Sequence, residues 1–134
     1  MSSFPLQIIT PDGPHFDGQA EYLSVRTTTG EMGIFPGHTD LVAPLGMGRA
    51  CVMTEGKRRY AACIGGMVSV LAGKVTLLAT TFEWAEDIDT ARAERSYQAA
   101  EAVIKSQQAS RMDSAMAEAR KKRALIRKSV ASGK

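Results

Sequence analysis

After Trp84 the sequence carries no glycine until Gly133, whereas the residues up to Trp84 carry eleven. Glycine supplies the positive φ that tight turns need and weakens a helix interior, so its distribution reports where a chain turns often and where it runs straight. Up to about residue 85 the chain is written in short β-rich runs. LQIIT ends at PDG, YLSVRTTT ends at Gly30, RACVMT and KRRYAAC flank Glu55-Gly56, and MVSVL and KVTLLAT flank Ala72-Gly73. That spacing predicts about eight to ten strands in an antiparallel sandwich or barrel. Gly65-Gly66, between two apolar runs, reads as a further tight turn. Alternation of Lys74, Thr76 and Leu78 against Val75, Leu77 and Ala79 is imperfect, as expected of strands covered on both faces.

Beyond residue 85, alanine, glutamate, arginine and lysine take over, which is helical composition. Ala93, Tyr97, Ala100 and Ile104 form one apolar stripe, and Met112, Ala115, Met116, Ala119, Ile126 and Val130 form another. Between them SQQAS is polar, and Ser110 with Asp113 fits a capping box opening the second helix. The expectation is an α+β chain: a β-sandwich or barrel over residues 1–85, then an antiparallel two-helix hairpin over 86–134 whose alanines let the backbones approach closely. Neither helix has a broad apolar face, so the hairpin's packing is expected to be marginal.

The chemistry-bearing residues are sparse. His38 and Asp40 stand two apart in EMGIFPGHTDL, so an extended backbone would point them to opposite faces, and no nucleophile or metal cluster completes them. His15 is expected in the first turn without a partner. Cys51 and Cys63 lack zinc-site spacing; a hairpin turn at Glu55-Gly56 sets Cys51 opposite Tyr60 and turns Cys63 to the other face, leaving two buried, reduced thiols. No phosphate-binding glycine pattern is present. A signal segment and a membrane span are not expected, so the chain reads as soluble.

Charge is unevenly spread. Residues 1–85 hold six basic and seven acidic side chains, residues 86–134 eleven and seven, and Arg120 to Lys134 hold seven basic and none acidic. Such a run suits nucleic acid, solvent or an acidic protein surface. The absence of aromatics after Tyr97 argues against a single-strand binder, and the acidic protein surface is the favoured partner.

Three segments together carry a resemblance: TPDGPHFDGQAEYLSV, the G-x-x-G-x-x-P-x-H loop in GEMGIFPGHTDLVAPL, and the [IL]-D-x-x-R-A pattern in DIDTARA. Over essentially its whole length the chain resembles the epsilon subunit of bacterial F-type ATP synthase. The resemblance implies a non-catalytic rotor subunit of the central stalk, which couples proton flow to ATP synthesis from the cytoplasmic face of the inner membrane and meets that membrane only through the complex. Glu31, Gly33, Pro36, His38 and Asp40 would then belong to the contact with the gamma subunit and the membrane rotor ring. Arg111, Arg120, Lys121, Lys122, Arg123, Arg127 and Lys128 would meet the catalytic alpha/beta subunits and inhibit ATP hydrolysis. No cofactor is implied beyond the regulatory ATP that some members bind. Glu83, Ile88, Asp89, Arg92, Ala93, Arg123 and Arg127 would contact it, although Ala99, Lys122 and Ile126 stand where those members carry arginines. A stand-alone ATP-binding sensor is the alternative reading.

Overall fold

The computed structural model describes residues 2–106 and 110–133. Gln107, Gln108 and Ala109 of the polar connection, and Lys134 of the basic run, lie outside the described residues. Residues 1–84 form one compact unit and residues 85–134 a second.

The first unit holds eight strands: β1 (Phe4–Thr10), β2 (Gly13–Ala20), β3 (Tyr22–Thr27), β4 (Gly30–Ile34), β5 (Leu41–Pro44), β6 (Met47–Thr54), β7 (Lys57–Leu71) and β8 (Lys74–Trp84). They pair in the order β2-β1-β8-β7-β6-β3-β4, with β5 also on β7. All ladders are antiparallel except β1 on β8, which runs parallel and joins the two ends of the unit's chain. Two expected turns are present. Glu55 and Gly56 have φ of 52° and 75°, Ala72 and Gly73 of 50° and 82°. Positive φ at both central residues is the signature of the type I′ hairpin.

Gly65-Gly66 makes no turn. Both glycines lie inside β7, a 15-residue strand that runs on past them. Before them β7 pairs with β6, up to Ile64; after them it pairs with β5, from Met67. The inward residues change parity at this point, from Ala61 and Cys63 to Val68 and Val70, and on β8 from Val75, Leu77 and Ala79 to Phe82 and Trp84. One pair of long strands thus serves both layers of the sandwich, and the glycines form the corner. Gly66 has φ of 111°, and a Cβ on it would lie 1.9 Å from the Leu78 carbonyl oxygen. Leu6, Ile8, Leu23, Ile34, Val52, Val68 and Leu77 fill the space between the layers and are almost fully buried.

In the second unit, the 3-10 turn Ala85–Asp87 precedes α1 (Thr90–Lys105), and α2 (Arg111–Ala131) follows. Asp89 caps α1 by accepting from Arg92 N at 3.0 Å, and Ser110 caps α2 by accepting from Asp113 N at 3.0 Å. The first apolar stripe packs as expected: Ala93 and Ala100 are buried, and Tyr97 and Ile104 half-buried. The second packs only in part: Val130 is buried and Ala119 and Ile126 are half-buried, but Met112 and Met116 are 73% and 60% exposed. The face of α2 against α1 is instead Ser114, Ala117, Lys121, Ala124 and Lys128, at alternating spacings of three and four. Lysine stems bury their methylenes while the ammonium stays polar, so half the seam escapes an apolar count.

Candidate functional site

The loop containing His38 and Asp40 is shaped by backbone demands. Pro36 and Gly37 form the centre of a turn closed by His38 N donating to Phe35 O at 3.2 Å, with Gly37 at φ 85°. Proline's fixed φ and glycine's positive φ are what a type II turn requires in that order. His38 Nδ1 lies 2.6 Å from the Thr39 carbonyl oxygen, while Asp40 Oδ1 accepts from Ala72 N at 2.9 Å. Asp40 therefore fastens this loop to the β7–β8 turn, and neither side chain serves the other. Glu31 lies opposite Arg26 across β3 and β4. Gly33 leaves room for Tyr22, whose hydroxyl would be 3.1 Å from an added Cβ, and Tyr22 in turn packs on Phe35 with ring centroids 4.7 Å apart. Phe35 is 61% exposed, an apolar tip on a stiff loop.

A larger apolar surface lies beside it. Cross-strand register puts Ile9, Leu78, Met67 and Pro44 side by side across β1, β8, β7 and β5. Leu78 is 51% and Met67 40% exposed, and Val42 and Leu71 on the same strands are more exposed still. These strands are not covered on both faces as the sequence suggested. Their inner residues Ile8, Leu77, Val68 and Val70 already complete the core, so the outward row adds nothing to it. A contiguous exposed apolar row beyond a finished core marks a contact surface. Sequence reading missed these residues because an outward leucine or methionine in a strand has the same letters as an inward one; the register supplies the distinction.

The remaining candidate residues have structural duties. His15 lies on β2, its Nε2 2.9 Å from Thr10 Oγ1 and its ring beside Phe82. It is therefore neither in a turn nor without a partner, because strand pairing begins at Gly13. Cys51 faces Tyr60 across β6 and β7, and Cys63 joins the core. Both thiols are free; burial pushes both pKa values up, that of Cys63 to about 12. Among the described residues there is no acidic, histidine and cysteine cluster fit for a metal, and no helix long and apolar enough to cross a membrane.

Of the residues tied by resemblance to ATP, Glu83 lies on β8 opposite Ala62. Ile88 is buried, Asp89 caps α1, Arg92 is exposed on its first turn, and Ala93 is in the seam. Arg123 and Arg127 are half-buried on α2.

The basic run of α2 is divided by the seam. Lys121 pairs with Glu101 at 2.5 Å, and Lys128 pairs with Glu94. Arg111, Arg120 and Lys122 are exposed. The four buried seam alanines contribute roughly 3 kcal/mol at ~0.8 kcal/mol per methyl group, little against the entropy of ordering two helices. Ion pairs therefore matter here. The Glu94 carboxyl is held below its usual range by the Gln98 amide and then by Lys128, and the Glu101 carboxyl by Lys121. Lys121 is raised, chiefly by Glu101. Lowered carboxylates stabilise above their ordinary pKa of 4.5 and lose that contribution as pH falls below it; the raised lysine stabilises below 10.5 and loses it above. Helicity measured by circular dichroism is expected to stay flat between about pH 5 and 10 and to decline outside that window.

Residues 3–85 match the family described as ATP synthase, Delta/Epsilon chain, beta-sandwich domain. Among curated proteins, the ATP synthase epsilon chain of Bacillus cytotoxicus is 42% identical over 134 residues, all of both chains. The chain belongs to the epsilon-chain family of ATP synthases. The epsilon chain of Bacillus mycoides is 41% identical over 109 residues, covering 81% of this chain and 82% of that one. Among solved structures, a chain of the Euglena gracilis mitochondrial ATP synthase OSCP/F1/c-ring assembly superimposes with a TM-score of 0.71 at 24% identity, covering 95% of this chain and 76% of that one. A chain of the Tetrahymena thermophila mitochondrial ATP synthase central stalk/c-ring gives 0.68 at 11%, covering 95% of each. At those identities the likeness establishes a shared fold alone.

Proposed function

We propose that this epsilon-family chain is a non-catalytic rotor subunit that docks in the central stalk through its sandwich and restrains ATP hydrolysis through its hairpin. The carrying observation is the outward row Ile9, Leu78, Met67 and Pro44, apolar, unneeded by the core, and exposed except for the half-buried Ile9. The partner for that row is the gamma subunit. The stiff loop from Glu31 to Asp40, with Gly33, Pro36 and His38 shaping it and Phe35 at its tip, meets the gamma subunit and the membrane rotor ring. The protein thus works peripherally at the cytoplasmic face of the bacterial membrane.

The cations of α2 supply the regulatory contact with the catalytic alpha/beta subunits. Arg111, Arg120 and Lys122 are exposed in the closed hairpin, and Lys121 and Lys128 become available when it opens. Regulatory ATP, held on the hairpin by Ile88, Asp89, Arg92, Ala93, Arg123 and Arg127, would favour one hairpin state over the other.

The test is made in the assembled enzyme. Reversing Arg120, Lys122 and Arg123 to glutamate is expected to raise ATP hydrolysis about threefold or more, because several screened ion pairs are lost together, with the subunit retained in the complex. Unchanged hydrolysis with the subunit present would mean these cations only solvate the helix. His38→Ala is expected to weaken coupling of hydrolysis to proton transport, measured by vesicle acidification, and to affect no reaction of the isolated chain.

A further inference from the structure

The two ion pairs between the helices share one geometry. Lys121 to Glu101 and Lys128 to Glu94 are each seven residues apart on both helices, in opposite directions, as an antiparallel register demands. Tyr97 lies between the two glutamates on α1, and both ammonium groups lie near its ring, Lys128 Nζ at 4.5 Å and Lys121 Nζ at 5.8 Å from the centroid. Gln98 holds Glu94 through a 2.9 Å hydrogen bond, and Lys105 adds a 3.6 Å contact to Glu101. Each lysine is thus held by a carboxylate and an aromatic face, in seam positions that a stable helical hairpin would ordinarily fill with leucine.

We propose that Glu94, Tyr97 and Glu101 form a clasp that sets the register of the closed hairpin by capturing Lys121 and Lys128, so that an anionic partner must displace those carboxylates to engage the two lysines. A slip of one helical turn would move Lys121 away from Glu101 and Lys128 away from Glu94 by three to four residues along α1 and break both pairs at once. The clasp is keyed to ionic strength, since the pairs are partly open to solvent and exposed charges are screened by salt. Its regulatory meaning rests on the inhibitory reading of α2; its structural content does not.

The experiment is hydrogen–deuterium exchange on the full isolated chain, comparing wild type with Glu94→Gln/Glu101→Gln at about 20 mM and about 0.5 M NaCl, across a Debye length that shrinks severalfold. At low salt the amides of α1 and α2 in the variant are expected to exchange about tenfold faster than in wild type, with the strands unchanged, and the difference is expected to close at high salt. The charge swap Glu94→Lys/Lys128→Glu is expected to restore protection. Exchange in the variant within about twofold of wild type at low salt would overturn the clasp, and so would lost protection that the swap does not restore, since that would be helix weakening. In the assembled enzyme the double glutamine variant is expected to inhibit hydrolysis more strongly. Faster exchange with unaltered hydrolysis would keep the clasp and overturn the inhibitory role of α2.

Discussion

Met67→Lys combined with Leu78→Asp is expected to weaken binding to the gamma subunit by about a hundredfold or more while leaving the thermal midpoint of the isolated chain within about 3 °C of wild type. The two residues are cross-strand neighbours on β7 and β8 and point away from the core. Burying each at an interface contributes on the order of 1 to 2 kcal/mol, given that about half of each is already covered. Introducing charges into the same dry contact adds a desolvation cost, so the pair should exceed the 2.7 kcal/mol of a hundredfold change, about 1.4 kcal/mol per factor of ten. In the isolated chain the new side chains stay in water and cost little. Titration calorimetry reads the first quantity and a melting curve the second. Undiminished binding would mean that the apolar row is not the docking face.

Gly66→Ala is expected to lower the thermal midpoint by about 15 °C or more, or to leave the sandwich unfolded. At φ of 111° an L-residue is strained before anything else is counted, and the added Cβ would lie 1.9 Å from the Leu78 carbonyl oxygen and 2.8 Å from Ala79 Cα. These atoms belong to the neighbouring strand's backbone, so relief requires breaking the β7–β8 ladder at the corner where both layers share it. A cost above about 4 kcal/mol is a large part of the whole stability of such a domain. Gly56→Ala is the control. Its φ of 75° is near the left-handed helical region and nothing lies within 4 Å of the added carbon, so the expected loss is about 1 kcal/mol.

The contrast between those glycines shows how far the sequence could be read. Glu55-Gly56 and Ala72-Gly73 were legible as turns because a two-residue loop with positive φ between β-rich runs has one common structural meaning. Gly65-Gly66 is as good a turn pair by sequence and also has positive φ at both residues, yet the chain uses them to change which side of one long strand faces the core. Only the pairing of β7 with β6 before them and β5 after them separates a corner from a turn. The sandwich and the two helices were legible from composition and period, as was the cap at Ser110.

The candidate surfaces were less legible, for two physical reasons. Ile9, Met67 and Leu78 resemble core residues in any one-dimensional pattern; their outward direction follows from register, which long-range pairing sets. On α2 the apolar letters Met112 and Met116 drew attention to an exposed face, whereas the seam runs through Ala117, Lys121, Ala124 and Lys128. A lysine that packs by its stem and pairs by its ammonium looks like a surface residue until its partner on the other helix is known. The loop around His38 was legible as scaffold, because proline and two glycines announce backbone shape. That Asp40 fastens it to the turn at Ala72 was not, since 32 residues separate them.

The most direct measurement of the account is the mass and stoichiometry of the wild-type chain mixed with purified gamma subunit, read by light scattering on a sizing column. Docking through the sandwich predicts a one-to-one complex that survives dilution to about 1 μM, a Kd scale of about −8 kcal/mol, and that the Arg120, Lys122 and Arg123 reversal leaves intact. A chain that elutes alone at its own mass, with the gamma subunit folded and in excess, would contradict it.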